Sequence, residues 1–323
     1  MAHRLADFEY YLPKELIAQK PSHERGEDRL MVVRRQNKTR EVVLFEDIHG
    51  FLNSGDCLVL NNTKVIKARL KGRKKKTGGQ VEIFFLKSKG HNAADTLLRP
   101  SKRLPEGTEV VLDKGYEARI IDAKEGIVEF NTTSCEEMLK EIGQVPLPPY
   151  IKREPDKVDE LRYQTIFAES SGSVASPTAG LHFTERALER IKEKGIYIAN
   201  ITLHIGWGTF RLIDEDDIRT HSLHSEYRKI HKEQARIINS ARAKGGKVLA
   251  VGTTTARALE SCTDQKGSVI PQEGWTDLYI YPPYEFKCVD CLLTNFHMPR
   301  SSLFVMVSAF SGLDLIKKHI RRL

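Results

Sequence analysis

Five side chains in the second half of this 323-residue chain are candidates for moving protons: His182, His204, His224, Glu226 and His297. Each lies in a short polar stretch rich in glycine, threonine or proline, the setting in which loops carry function. His182 belongs to Gly172-Ser-Val-Ala-Ser-Pro-Thr-Ala-Gly-Leu-His-Phe-Thr184. There Pro177 fixes one backbone angle and Gly180 opens conformations closed to other residues. Thr184 followed by Glu185 reads as the capped start of a helix. A tight loop that brings a histidine to a helix N-terminus suits a polar or anionic ligand. An ordinary capped loop is the competing reading.

His204 opens His204-Ile-Gly-Trp-Gly-Thr-Phe210 at a strand end. Gly206 and Gly208 allow close backbone approach, and Trp207 and Phe210 offer flat faces for a base. A glycine turn with core aromatics reads equally well. In His221-Ser-Leu-His-Ser-Glu226, a strand would put His224 and Glu226 on one face as an acid–base pair; two surface histidines are the alternative. A metal would want a third ligand, and none is obvious. Val251-Gly-Thr-Thr-Thr-Ala-Arg257 joins a buried strand to a helix, where Gly252, Thr253 and Thr254 would face a carboxylate or phosphate. It has neither the lysine of a P-loop nor the GxGxxG pattern. Leu293-Thr-Asn-Phe-His-Met-Pro-Arg-Ser-Ser-Leu303 brings Asn295 and His297 into a polar connection between two apolar strands.

These stretches need a scaffold, and the chain alternates helix and strand patterns on both sides of a segment of another kind. Strands are expected at 29–33 and 41–45 around Asn37-Lys38, and at 55–62. Pro13 and Pro21 bracket a short helix. Between 65 and 144 six short strand-like runs (65–70, 80–86, 96–98, 109–112, 117–122, 127–130) are separated by Gly-rich turns, which argues a small antiparallel barrel or sandwich. It carries Lys67, Arg69, Lys71, Arg73, Lys74, Lys75 and Lys76, either a solvated hairpin or a phosphate-contacting patch. Pro146-Leu-Pro-Pro149 reads as a stiff linker, and 154–162 as an exposed charged stretch. Beyond it, helices are expected at 185–194, 232–244 and 256–262, and strands at 196–205, 247–251, 276–281 and 302–310. The fold class is α/β: a discontinuous α/β domain (1–64 and 150–323) holding an inserted β-barrel domain (65–149).

Hydrophobic residues make up 40% and charged residues 29%, enough for a sizeable core. Net charge is +8 and the pI about 9.1, compatible with a nucleic-acid partner. The N-terminus has no apolar signal core and no run is long enough to span a bilayer, so a cytoplasmic protein without a membrane partner is expected. Five cysteines at irregular spacing do not form a disulfide framework. Cys288 and Cys291, three apart on a strand, would face opposite sides, so no metal is expected.

At these motifs the chain resembles the S-adenosylmethionine:tRNA ribosyltransferase-isomerases of queuosine biosynthesis, from Phe8-Glu-Tyr-Tyr-Leu-Pro-Lys-Glu-Leu-Ile-Ala-Gln19 to Ser308-Ala-Phe310. Pro146-Leu-Pro-Pro-Tyr-Ile151 fits as well. The departures are Ser176 for alanine, Met298 for leucine and Tyr281-Pro-Pro-Tyr284 for a Pro-Gly. The family usually continues to a Tyr-Arg-Phe-Phe-Ser-Phe-Gly-Asp-Ala-Met segment, whereas this chain ends Ile320-Arg-Arg-Leu323. The resemblance implies an α/β domain with an inserted barrel and a monomer that uses S-adenosylmethionine as ribosyl donor, with no permanently bound cofactor. The acceptor is 7-aminomethyl-7-deazaguanine at the tRNA wobble position. It further implies Pro177, Thr178, Ala179, Gly180, Phe183, Thr209 and Asn295 as substrate-lining residues. Thr253 and Thr254 would hold the methionine carboxylate, and Gly206, Trp207 and Gly208 would border adenine. Arg69, Lys71, Arg73, Lys74, Lys75 and Lys76 would meet tRNA phosphates. A tRNA-binding relative without catalysis is the alternative. A methyltransferase is disfavoured, because the glycine-rich strand–helix loop such folds place near the N-terminus is missing.

Overall fold

The computed structural model describes residues 3–100 and 103–320. Residues 1–2, 101–102 and 321–323 lie outside this description, and with them the chain end contrasted above. The first two strands, β1 (Arg29–Arg34) and β2 (Thr39–Leu44), form a hairpin, antiparallel around the expected turn. β3 (Cys57–Asn61) and β4 (Thr63–Val65) follow. The next six strands are β5 (Arg69–Lys74), β6 (Gln80–Ser88), β7 (Ala93–Arg99), β8 (Glu109–Leu112), β9 (Glu117–Asp122) and β10 (Ile127–Phe130). They close into an antiparallel barrel in the order β10-β7-β6-β5-β8-β9.

Alternation builds the barrel. Leu70, Ile83, Val110, Leu112, Ala118, Ile120, Val128 and Phe130 point inward and are buried. Helix α1 (Cys135–Ile142), capped by Ser134, plugs the barrel with Cys135, Met138 and Leu139. Gly72 on β5 has to be glycine, because a Cβ there would lie 2.6 Å from Val110 Cγ1. The chain leaves the barrel where it entered: Arg69 and Gln144 exchange backbone hydrogen bonds of 3.1 and 2.8 Å.

After α2 (Lys157–Arg162), β11 (Ser170–Ser173) pairs parallel with β4. Then come α3 (Glu185–Glu193), β12 (Tyr197–Leu203), β13 (Glu226–Ile230), α4 (Lys232–Ala243), β14 (Val248–Val251), α5 (Thr253–Ser261), β15 (Gln272–Thr276), β16 (Cys291–Leu293), α6 (Ser302–Ser311) and α7 (Leu313–Ile320). The main sheet runs β15-β13-β12-β3-β14-β16, and β12, β3, β14 and β16 are parallel. Its central strands read as unbroken apolar runs because both faces are covered. Cys57 and Val59 face α4 and α5, while Leu58 and Leu60 face α3 and the 3₁₀ turn Phe45–Phe51.

Some elements differ from expectation. Residues 302–310 form helix α6, not a strand; the apolar run is buried almost all round, so periodicity carries no signal, and the Ser301 cap on Phe304 N is the usable clue. The segment after Pro13 holds only the 3₁₀ turn Lys14–Leu16, with extended backbone at Pro13 and Ile17. The strand expected at 276–281 is Gln272–Thr276, a half-exposed edge strand with little apolar content. Residues 157–162 are helical, and Asp159 is buried on Arg153 instead of solvated.

Candidate active site

The carboxyl ends of the parallel strands deliver the polar motifs to one edge of the sheet. β3 ends at Asn61, β12 at Leu203, β14 at Val251 and β16 at Leu293. In an open α/β sheet this is where ligands bind. Two clusters form there.

The first gathers the 177–183 turn, the start of α5 and the loop after β16. Gly252, at φ +96°, lets α5 begin directly from β14, and its N–H donates to Leu293 O at 2.7 Å. A Cβ on Gly252 would reach Ala179 Cβ at 3.9 Å, so the two turns touch. His182 Nδ1 lies 2.7 Å from Asp28 Oδ2, and its Nε2 lies 3.2 Å from Asn295 Nδ2. The hydrogen bond from His182 holds the Asp28 carboxyl below the usual carboxylate range. His297 Nε2 meets Thr294 Oγ1 at 2.8 Å, and Tyr10 OH donates to the His297 carbonyl. Burial lowers His297 from its ordinary 6.5 to about 4.

The second cluster gathers 172–176, the 204–208 turn and Glu226. His204 Nδ1 is 2.8 Å from Thr63 Oγ1, and its ring stacks on Tyr227 with centroids 5.3 Å apart. Gly172 lies against Nε2, where a Cβ would come within 2.8 Å. Burial pushes His204 below its ordinary value, so the ring is neutral at pH 7. Glu226 accepts from Gly206 N at 2.8 Å and pairs with Arg257, one turn into α5. Both are buried, and desolvation lowers Arg257 to about 10, which leaves it charged. Arg257 thus ties α5 of the first cluster to the glycine turn of the second.

The structure separates the sequence candidates. His182, Asn295, Gly252, Thr254 and Pro177–Gly180 come together, and Gly206 and Glu226 lie one pair away. Phe183 does not line the site: it is fully buried against Phe45 and Phe167. Trp207 is no free platform, since its ring packs 4.7 Å from Phe84 of the barrel and 5.3 Å from Phe210, with Arg99 over it. Thr209 lies in the same 3₁₀ turn. His224 precedes β13, so it shares no strand face with Glu226; it is exposed and packs on Gly208. The basic run is largely spoken for. Arg69 pairs with Glu82 and Glu154, Lys71 with Glu154 and Lys75 with Glu117, and Lys74 reaches the Arg103 carbonyl.

Sequence reasoning missed Asp28, Thr63 and Arg257. Arg257 stands inside a flagged motif and was legible as the cation after three threonines. Asp28 and Thr63 carry no local signal, because chain crossing alone brings them to the histidines. Several buried polar atoms at this edge have no partner among the described residues: Ser176 Oγ, Thr254 Oγ1, Asn295 Oδ1 and Arg257 Nε. Such atoms are costly unless something pairs them.

Comparisons with known proteins agree with this architecture. The chain is 49% identical to the S-adenosylmethionine:tRNA ribosyltransferase-isomerase of Pelotomaculum thermopropionicum, over 97% of this chain and 92% of that protein. It is 47% identical to the protein of that name from a Sulfurihydrogenibium species, over 97% and 93%. The solved S-adenosylmethionine tRNA ribosyltransferase of Thermotoga maritima is 34% identical, with a TM-score of 0.53 covering 98% of this chain and 93% of that one. The family profile described as queuosine biosynthesis protein matches residues 5–322, and the chain belongs to that family.

Proposed function

We propose that this protein transfers and isomerises the ribosyl group of S-adenosylmethionine onto 7-aminomethyl-7-deazaguanine in tRNA, giving epoxyqueuosine-tRNA with release of adenine and methionine. It is a transferase that uses S-adenosylmethionine as substrate. The supporting observation is the convergence of five polar motifs on the carboxyl edge of the parallel sheet, with Ser176, Thr254 and Asn295 presenting unpaired buried polar atoms there. A substrate with carboxylate, hydroxyl and base groups would satisfy them.

The sulfonium acidifies the neighbouring ribose carbon, and a base that removes that proton starts the loss of adenine. His182 is the best-placed base: it is a quarter exposed, backed by a carboxylate, and beside Asn295. His204 is covered by Gly172, His297 is bonded to Thr294, and Glu226 is locked by Arg257, so these three shape the pocket. The start of α5, with Thr253 and Thr254, takes the methionine carboxylate. The 206–208 turn borders adenine through its backbone, and the barrel (65–149) presents Arg73, Lys74 and Lys76 to tRNA phosphates while the remainder of the chain binds S-adenosylmethionine. Among the described residues no helix is long and apolar enough to cross a membrane. The enzyme acts as a cytoplasmic monomer.

The test is adenine release from S-adenosylmethionine, with and without tRNA carrying 7-aminomethyl-7-deazaguanine. Adenine formed only with that tRNA, together with loss of the free amine, is the expected result. Retained tRNA binding without adenine would leave a binding protein that has lost the chemistry.

A further inference from the structure

The N-terminal segment supplies this site with a residue that no motif marks. Asp28 stands 154 positions before His182, and its Oδ2 lies 2.7 Å from His182 Nδ1. An ionised carboxylate only accepts, so Nδ1 carries the proton. On the other side of the ring the Asn295 amide sits 3.2 Å from Nε2. A donating amide there leaves Nε2 as the accepting nitrogen.

Asp28 is itself held. Phe45 N–H donates to the Asp28 carbonyl at 2.8 Å, and the Phe45 ring packs against His182 with centroids 5.3 Å apart. The Ser22 hydroxyl and Arg162 also face the carboxylate and favour its charged form. Three residues earlier, Arg25 donates to the carbonyls of Leu181, Leu161 and Gln164 at 3.0, 3.0 and 2.6 Å. The segment therefore grips the histidine ring and the backbone that carries it. A surface ion pair would show neither the fixed backbone nor the amide across the ring.

We infer that Asp28 is the positioning residue for His182: it holds the imidazole in the Nδ1–H form, aims Nε2 at the substrate and steadies the imidazolium formed during the reaction. The inference rests on His182 as the base proposed above. In that step the substrate displaces the Asn295 amide from Nε2, the C–H bond beside the sulfonium breaks, its proton goes to Nε2, and its electron pair stays on the carbon next to the positive sulfur. The imidazolium then holds a proton for the departing adenine. Asp28 stays ionised throughout and touches no reacting atom.

Three variants and one spectrum test this. In tRNA-dependent adenine release, Asp28→Asn should lower kcat by roughly 10²–10⁴-fold, as removal of an orienting carboxylate does elsewhere. KM for S-adenosylmethionine should stay within a few-fold, and Asp28→Glu should restore part of the loss. Nitrogen-15 NMR of the wild-type protein should show the His182 proton on Nδ1, and Asp28→Asn should move the tautomer towards Nε2–H. A wild-type ring protonated on Nε2 alone would overturn the inference, even if Asp28→Asn failed to fold. So would an unchanged kcat in Asp28→Asn beside an inactive His182→Gln. Full activity in His182→Gln would instead remove His182 as the base.

Discussion

His297 is held in its neutral form in the folded chain, and that has a thermodynamic consequence. Its value falls from 6.5 to about 4 in the folded chain. Between these pH values the unfolded chain binds the proton and the folded chain does not, so stability drops as pH falls through the window. The full effect, reached near pH 4, is about 3 kcal/mol at 1.36 kcal/mol per unit. We expect the urea-unfolding free energy of the wild type to fall more steeply from pH 6.5 to 4 than that of His297→Gln, by about that amount. Parallel curves would mean that His297 protonates in place. At this scale the sequence revealed proton-active side chains and not their partners. His182, His204 and His297 announce themselves by standing among glycines and threonines. Asp28 and Thr63 look like any other aspartate and threonine until the fold crosses their segments. Phe183 shows the opposite case, a core aromatic inside a motif whose other residues were read for ligand contact.

Among the elements, β5 carries much of the basic run. Arg69, Lys71 and Arg73 alternate along it and so share one face, with the Lys74–Lys76 turn beyond. Carboxylates on β6, on β9 and at Glu154 already answer Arg69, Lys71 and Lys75. Phosphate binding should therefore concentrate on Arg73, Lys74 and Lys76. Replacing these three by alanine should weaken tRNA binding and reduce the salt slope of log K by about 2, at roughly 0.7–0.9 for each phosphate no longer neutralised. Lys75→Ala alone should leave the slope nearly unchanged. An unaltered slope in the triple variant, read by filter binding across a salt series, would move the tRNA surface elsewhere. The barrel strands were legible because their inward residues alternate and glycine turns punctuate them; 109–112, 117–122 and 127–130 match to the residue. Helix α6 was not, because an apolar run buried almost all round has no clear period to read.

Across the whole molecule, the barrel docks on the main sheet through an aromatic contact. Trp207 sits between Phe84 and Phe210, and Arg99 lies over both Trp207 and Phe84. A double-mutant cycle on Phe84 and Trp207, each replaced by leucine, should give a coupling of about 0.5–1.5 kcal/mol in equilibrium unfolding. Zero coupling would indicate that the barrel does not stay seated in solution. The tryptophan could be seen in the sequence, but its partner lies more than a hundred residues away, so its role as a joint could not.

The paired crossing at Arg69 and Gln144 also bears on the order of folding. The main sheet must bring β3 beside β12 across a long intervening chain. Once the barrel has closed and zipped its two ends together, the connection from β3 to β12 shortens from about 135 residues to about 60. By the logarithmic dependence of closure entropy on loop length, that lowers the cost of closure by roughly 0.7 kcal/mol. An early barrel is thus a kinetic aid to the sheet, and substitutions that slow barrel closure should slow the appearance of the β3–β12 pairing.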